Sequence, residues 1–179
     1  TNKEAKKNFL RSFAGYCLVC YFLQIKDRHN ANIMLDRRGF ISHIDFGFML
    51  TNAPGKGFEF EKAPFKFSSD ILELLGGVNS SLFDEFRKLL WKGFRACVKH
   101  SSKISILVEM MYCGHGSSLS CFKRGELAIT ELRQRYYPKK NMKTSDYLAH
   151  VDKLIMGSID NWRTRWYDKY QYFFQGIFY

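Results

Sequence analysis

Lys26-Asp27-Arg28-His29-Asn30-Ala31-Asn32-Ile33-Met34-Leu35-Asp36-Arg37-Arg38-Gly39-Phe40-Ile41-Ser42-His43-Ile44-Asp45-Phe46-Gly47-Phe48-Met49-Leu50 is the stretch on which the reading of this 179-residue chain turns. Two short apolar runs, Ile33–Leu35 and Phe40–Ile44, flank Asp36-Arg37-Arg38-Gly39, and this punctuation predicts a β-hairpin. Pairing the runs puts Asn32 and Asp45 at the same end of the hairpin. A carboxylate and an amide oxygen side by side suit a hard divalent cation, which prefers oxygen donors and keeps several waters. Asp27 and His29, just upstream, are candidates for orienting or deprotonating an attacking hydroxyl. The layout is that of a phosphoryl-transfer site, where the protein contributes position and electrostatics to a phosphate gathering negative charge. Asp27-x4-Asn32 alone would fit a chance hairpin with polar ends. An Asp-Phe-Gly triplet opening at Asp45, thirteen positions after Asn32, argues against chance. The His follows the Asp here (Asp27-Arg28-His29), which points away from ordinary protein kinases.

Working outward, 179 residues suffice for one core and predict a single domain or lobe. A hydrophobic fraction of 46% with 17% aromatics predicts a packed globule, not a disordered segment. The chain opens on Thr1, with no initiator Met, signal peptide or membrane-spanning run, as a piece of a longer protein would. Lys and Arg outnumber Asp and Glu 28 to 17, a formal charge of +11 that favours anionic partners such as nucleotide phosphates or a membrane surface. With no RNA-binding aromatic motif or zinc finger, nucleic acid is not an expected partner. Cys17 and Cys20 form a Cys-x-x-Cys inside an apolar helical run without further ligands nearby. They read as core thiols of a reduced, cytosolic protein.

The expected organisation is mainly α with a small β-hairpin. Lys3 to about Leu23 reads as a buried central helix, followed by the hairpin and an irregular segment, 46–67, long enough to be functional. Ser68 or Ser69 caps a short helix ending at Gly76-Gly77, and Ser81 with Asp84 caps Leu82–Lys99. Further helices are expected at Ile104–Tyr112, at Glu126–Arg135 stopped near Pro138, from Thr144 or Ser145 to Met156, and at Ile159–Phe178. Gly114-His115-Gly116-Ser117-Ser118 lacks the Lys and strand of a phosphate loop and reads as a connection. His43 and His100 have no clustered partners in the sequence.

Asp27-Arg28-His29-Asn30-Ala31-Asn32 together with His43-Ile44-Asp45-Phe46-Gly47 resembles the phosphatidylinositol 3-/4-kinase superfamily, which also contains protein kinases. Further stretches resemble its type III phosphatidylinositol 4-kinases, and the beta form among them. These are Ala14-Gly15-Tyr16-Cys17-Leu18-Val19-Cys20-Tyr21, Gln24-Ile25-Lys26, Gly57-Phe58-Glu59, Ala63-Pro64-Phe65-Lys66, Gly76-Gly77 and the tail Arg163-Thr164-Arg165-Trp166-Tyr167-Asp168. The similarity runs over essentially the whole chain. Ala31 stands where Gly is common and Ser120 where Pro is usual; neither touches the chemistry.

The resemblance implies a protein-kinase-like C-lobe over 1–179, with the catalytic loop at 26–32, the metal-binding Asp-Phe-Gly at 45–47, the activation loop at 46–67 and a C-terminal helix at 159–178. It implies Asp27 and His29 as catalytic residues, with His29 the base and Asp27 its electrostatic partner. Asn32 and Asp45 become ligands of Mg²⁺ (or Mn²⁺), and Met34, Ile44 and Asp45 contacts to ATP. Arg28, Asn30, Phe46 and Gly47 shape the loop, Arg28 by pairing with a carboxylate. The implied reaction is transfer of the ATP γ-phosphate to the 4-hydroxyl of phosphatidylinositol on an anionic membrane, by a cytoplasmic, peripheral protein of the Golgi or endomembranes. A protein kinase of the same superfamily and a truncated, non-catalytic membrane- or partner-binding module are the alternatives. In such kinases ATP sits between two lobes, so the chain is expected to need an N-lobe and helical region beyond it and to be inactive by itself.

The activation-loop cations Lys56, Lys62 and Lys66 are partly offset by Glu59 and Glu61. So sparse a set suits an unphosphorylated inositol head group, with Lys66 the expected contact. In the last helix Trp162, Trp166, Tyr170 and Phe173 or Phe174 form a stripe beside Arg163, Arg165 and Lys169. This pattern suits either a membrane interface or packing on the lobe's own core.

Overall fold

The computed structural model describes residues 2–54, 62–116, 118–136 and 143–178. Lys56, the Gly57-Phe58-Glu59 motif, Glu61, Ser117 and Pro138 lie outside the described residues. The fold is mainly helical with one two-stranded antiparallel sheet, as the hairpin and helix patterns predict.

Helix α1, Asn2–Leu23, buries Phe9, Leu10, Phe13, Ala14, Cys17 and Cys20, the three- and four-residue spacing of a core-facing helical stripe. It packs mainly on α3 (Ser81–Lys99) and also touches the sheet and α5 (Leu127–Tyr136). Aromatic rings carry much of that contact. Phe13 stacks on Phe86 at 5.2 Å and meets Phe67 edge-on at 5.2 Å, while Phe22 stacks on Tyr136 at 4.4 Å. Cys17 and Cys20 are buried free thiols in this stripe, and burial pushes the Cys17 thiol well above its ordinary range. The core-thiol expectation holds.

Helix α1 stops at Gln24, which takes a left-handed φ of 51° while the Ile25 N–H reaches back to the Cys20 carbonyl at 3.1 Å. The chain that leaves it is tied to the segment after Asp-Phe-Gly by Lys26 N–H to Phe48 O (2.9 Å) and Leu50 N–H to Leu23 O (2.8 Å). Residues 26–32 thereby leave from a fixed point and end at the hairpin. The hairpin pairs β1 (Ile33–Leu35) with β2 (Ile41–His43) in the register Ile33↔His43. Its turn closes on Gly39, φ 90°, where a Cβ would lie 2.2 Å from the Ala5 carbonyl oxygen of α1. Both the backbone conformation and the space admit glycine alone.

Helix α2 (Ser69–Leu74) and α3 follow, then α4 (Ser101–His115), α5, α6 (Thr144–Ser158) and α7 (Trp162–Gln175). The N-cap of α3 is Ser80, not the expected Ser81. Its hydroxyl accepts the Phe83 N–H at 3.0 Å and also donates to the Leu75 carbonyl, a second bond that Ser81 is not placed to make. Helix α4 begins three residues before the expected Ile104, because only His100 separates it from α3. Helix α7 is shorter than 159–178. Ile159 instead forms a bridge with Phe67, the Asp160 N–H bonds the Phe67 carbonyl at 2.9 Å, and Asn161 caps the helix. That bridge fastens the end of the irregular 46–67 segment to the start of α7.

Candidate active site

Asp27, Arg28, His29 and Asn32 come from the loop between α1 and β1, and Asp45 from the residues just after β2. Asp27 and Asp45 both hold left-handed backbones, φ 64° and 55°. That conformation costs a non-glycine residue about 1 kcal/mol or more and concentrates at functional positions. Arg28 supplies the restraint. It is almost fully buried, and its guanidinium donates to the carbonyls of Lys26 (2.9 Å), Ile44 (2.8 Å) and Asp45 while lying 5.7 Å from the centre of the Phe46 ring. One side chain thus ties the 26–32 loop to the Asp-Phe-Gly segment. These bonds run to main-chain carbonyl oxygens on both sides of the left-handed turns at Asp27 and Asp45.

A 3-10 turn over Asn30–Asn32 brings Asn32 beside His29, and the Ile44 N–H bonds the Asn32 carbonyl at 3.0 Å. The Asn32 amide nitrogen donates to the Asp27 carbonyl at 2.9 Å and lies 3.1 Å from His29 Nε2. The first contact orients the amide, so the second is an N–H pointed at the imidazole. Nε2 therefore carries the lone pair and Nδ1 the proton. Nδ1 is buried without a hydrogen-bond partner among the described residues. Nε2 also lies 3.7 Å from Asp27 Oδ1. Burial pushes the His29 pKa below the ordinary imidazole range. The Asp27 carboxylate opposes that shift, and the charges of Lys66 and Arg28 add to it. The net shift favours the neutral imidazole.

Asp45 is exposed, with Oδ1 accepting the Gly47 N–H at 3.2 Å. Met34 (56% exposed) and Ile44 share the open face of the hairpin, and Phe46 and Leu35 are uncovered nearby. His43 points the other way. It is buried, stacked on Tyr16 at 4.2 Å with Nδ1 3.7 Å from Cys20 Sγ, and burial, with the Arg28 and Lys66 charges, lowers its pKa to about 4. Its partners are structural, and they lie 23 and more positions away in the sequence.

Helix α7 closes the other side, and here the sequence reading missed residues. Tyr167, buried, donates its hydroxyl to Asp27 Oδ1, and Gln171 Nε2 donates to the Tyr167 oxygen at 2.7 Å. Lys66, expected at the head group, is instead buried: its ammonium bonds Asn30 Oδ1 at 2.9 Å and Asp168 Oδ1 at 2.6 Å. The Asn30 bond joins the 26–32 loop to the end of the 46–67 segment. The inward stripe of α7 is therefore polar (Thr164, Tyr167, Asp168, Gln171) and its outward stripe aromatic. Trp162 is 61% exposed and Phe173 77%, with Trp166, Tyr170 and Phe174 also open, so the stripe does not pack on the lobe's core. Thr164, Asp168 and Gln171 recur at helical spacing, the one sequence signal that could have marked this face. A cleft of about 300 Å³ opens beside Asp27, between Phe48 and Pro54 on one side and Trp166, Tyr170 and Gln175 on the other. Among the described residues no helix is long and apolar enough to cross a membrane.

An Asp–His pair, an Asn and an Asp at the same end of a hairpin and a helical lobe beneath them are the arrangement of a kinase-like lobe. The chain belongs to the phosphatidylinositol 3- and 4-kinase family, whose profile matches residues 2–115. It is 48% identical to phosphatidylinositol 4-kinase beta 1 of Arabidopsis thaliana over 98% of the chain and 15% of that protein. It is 43% identical to a phosphatidylinositol 4-kinase of Dictyostelium discoideum (98% and 14%) and 41% identical to phosphatidylinositol 4-kinase beta of Xenopus tropicalis (97% and 21%). The chain thus spans about a fifth or less of the length of these relatives.

Proposed function

We propose that this chain is the C-terminal catalytic lobe, 1–179, of an enzyme that transfers the ATP γ-phosphate to the 4-hydroxyl of phosphatidylinositol. The observation that carries this reading is the neutral His29–Asp27 pair set beside a cleft whose outer wall is the exposed aromatic face of α7. An inositol ring entering from a bilayer would reach His29 Nε2 without leaving the surface.

The donor set fits a divalent cation. Asn32 uses its amide nitrogen on Asp27 and His29, which leaves an oxygen as its remaining donor, and Asp45 is an open carboxylate. Two oxygen donors plus phosphates and water is how Mg²⁺ is commonly held. Bound there, Mg²⁺ or Mn²⁺ would neutralise charge on the ATP phosphates. Met34 and Ile44 offer apolar surface to the base of ATP, with the rest of the kinase outside this chain as the opposing wall. His29 takes the hydroxyl proton at Nε2, the incoming hydroxyl displacing the Asn32 N–H from that lone pair, while Asp27 stabilises the imidazolium that results. Arg28, Phe46 and Gly47 hold the two halves of the site in register. Residues 46–67, with Lys56 and Lys62, form the activation loop facing the head group, and we assign Lys66 to bracing that loop from beneath. Trp162, Trp166, Phe173 and Phe174 rest in the interface of an anionic membrane. A peripheral position on endomembranes, the Golgi in particular, follows from this reading.

The test uses the full-length protein that contains this chain, phosphatidylinositol vesicles and labelled ATP. A lipid product phosphorylated at the 4-position is expected, with at least a 100-fold loss in Asp45→Asn. A 3-phosphate product, or phosphorylated peptide without lipid product, would overturn the assignment.

A further inference from the structure

The catalytic carboxylate is held from outside its own loop, by a helix some 140 residues further along the chain. We infer that Tyr167 and Gln171 are positioning residues for the phosphoryl-transfer step, forming a two-member relay on α7 that fixes the Asp27 carboxylate against His29. The inference rests on the functional reading above and adds residues to its machinery.

The direction of the relay follows from which atoms can donate. An ionised carboxylate only accepts, so the proton between Tyr167 and Asp27 belongs to the tyrosine hydroxyl. With that proton committed, the tyrosine oxygen must accept from Gln171, whose Nε2 lies 2.7 Å away. Were the amide turned around, its oxygen and the carboxylate would compete for one proton and one of them would lose its bond. The relay therefore has a single satisfiable polarity, from Gln171 N–H to Tyr167 O and from Tyr167 O–H to Asp27 Oδ1.

The oxygen it ends on is the one 3.7 Å from His29 Nε2. Asp27 stands on a left-handed backbone, φ 64°, so its side-chain direction needs a restraint from outside the loop. Tyr167 and Gln171 are well placed to give it. They lie four apart on one helix face, both are buried, and α7 is anchored beside them by the Lys66–Asp168 pair and at its start by the Asn161 cap, Oδ1 to Arg163 N–H at 3.0 Å. Neither residue shares a loop with the reacting groups. Their effect on rate would pass through Asp27.

The experiment is a set of single-turnover and steady-state measurements on the full-length protein, using phosphatidylinositol in mixed micelles. Tyr167→Phe keeps the ring and removes the hydroxyl; kcat is expected to fall about tenfold, with KM for ATP and lipid within about twofold of the parent. Gln171→Leu keeps the tyrosine and should lower kcat about threefold, again without moving KM. It also reads the relay should the phenylalanine variant yield no folded protein. Because glutamine acts through the tyrosine, the double variant should be no slower than Tyr167→Phe alone. The inference is overturned if Tyr167→Phe retains kcat within twofold, if either loss appears in KM, or if the two losses multiply. A parent protein that leaves phosphatidylinositol unmodified while the variants fold normally overturns the functional reading itself, and the relay with it.

Discussion

Asp168→Ala should destabilise the lobe far more than an ordinary substitution on a terminal helix. The side chains of Lys66 and Asp168 retain 4% and 10% of their exposure, and their charged atoms lie 2.6 Å apart. Removing the carboxylate leaves an ammonium buried against the Asn30 amide oxygen. An uncompensated charge of this kind costs about 3–5 kcal/mol, against about 5–15 kcal/mol for a whole domain. At about 2–4 °C per kcal/mol for a domain of this size, the unfolding transition should fall by on the order of 10 °C. Replacing both partners, Lys66→Met with Asp168→Leu, removes the stranded charge and should recover most of the loss. The assay is thermal unfolding of the full-length protein, with limited proteolysis to show that the transition belongs to this lobe. Were Lys66 chiefly a head-group ligand, Lys66→Met would raise KM for the lipid and leave unfolding untouched. A transition within about 1 °C of the parent in Asp168→Ala, or a double variant no better than the single, would refute the bracing role.

Arg28→Lys keeps a charge but loses the planar fork that reaches the Ile44 and Asp45 carbonyls together. Activity should drop about tenfold or more and half-saturation should need more Mg²⁺, read from a metal titration; an unchanged titration would count against the coupling of the two loops. Combining Trp162→Ala, Trp166→Ala and Phe173→Ala should weaken flotation with anionic vesicles. At about 1 kcal/mol or more per ring withdrawn from the interface, the loss is on the order of 100-fold. All three side chains are exposed, so unfolding should stay near the parent, and undiminished flotation would remove this face from the membrane.

What the sequence disclosed tracks how local each interaction is. The hairpin was legible because apolar runs and Gly39 punctuate it within a dozen residues, and the four catalytic-loop and Asp-Phe-Gly positions lie on that same segment. Helix ends were less legible. Ser80 and Ser81 are equivalent by local pattern, and only the Leu75 carbonyl, five residues back, decides between them. The polar run His100-Ser101-Ser102-Lys103 looked like a linker, yet the helix resumes after one residue. Lys66 looked like a loop cation because its partner Asp168 is 102 positions away. Tyr167 and Gln171 were hidden for the same reason. The carbonyl acceptors of Arg28 were not legible, since nothing in the composition announces left-handed turns at two aspartates.

The inverted pattern of α7 has one physical explanation that covers both of its faces. A helix packed on an apolar core turns leucines and phenylalanines inward, but α7 lies against the 26–32 loop and Lys66, which turn a carboxylate and a buried ammonium toward it. Each of these needs a hydrogen-bond partner once water is excluded. Tyr167 and Asp168 meet that need and Gln171 satisfies the Tyr167 oxygen, so the polar stripe faces inward because its neighbours are polar. The aromatic residues are then left on the outer face, where burial in the lobe cannot be what retains them. Were α7 simply a capping element, its outer face would be expected to carry ordinary charged residues. Exposed rings interleaved with Arg163, Arg165 and Lys169 point to an apolar, anionic surface as their partner. On the proposed function, one helix would sense that surface on one side and hold Asp27 on the other, which would bring the reacting hydroxyl in at the depth where the bilayer presents it.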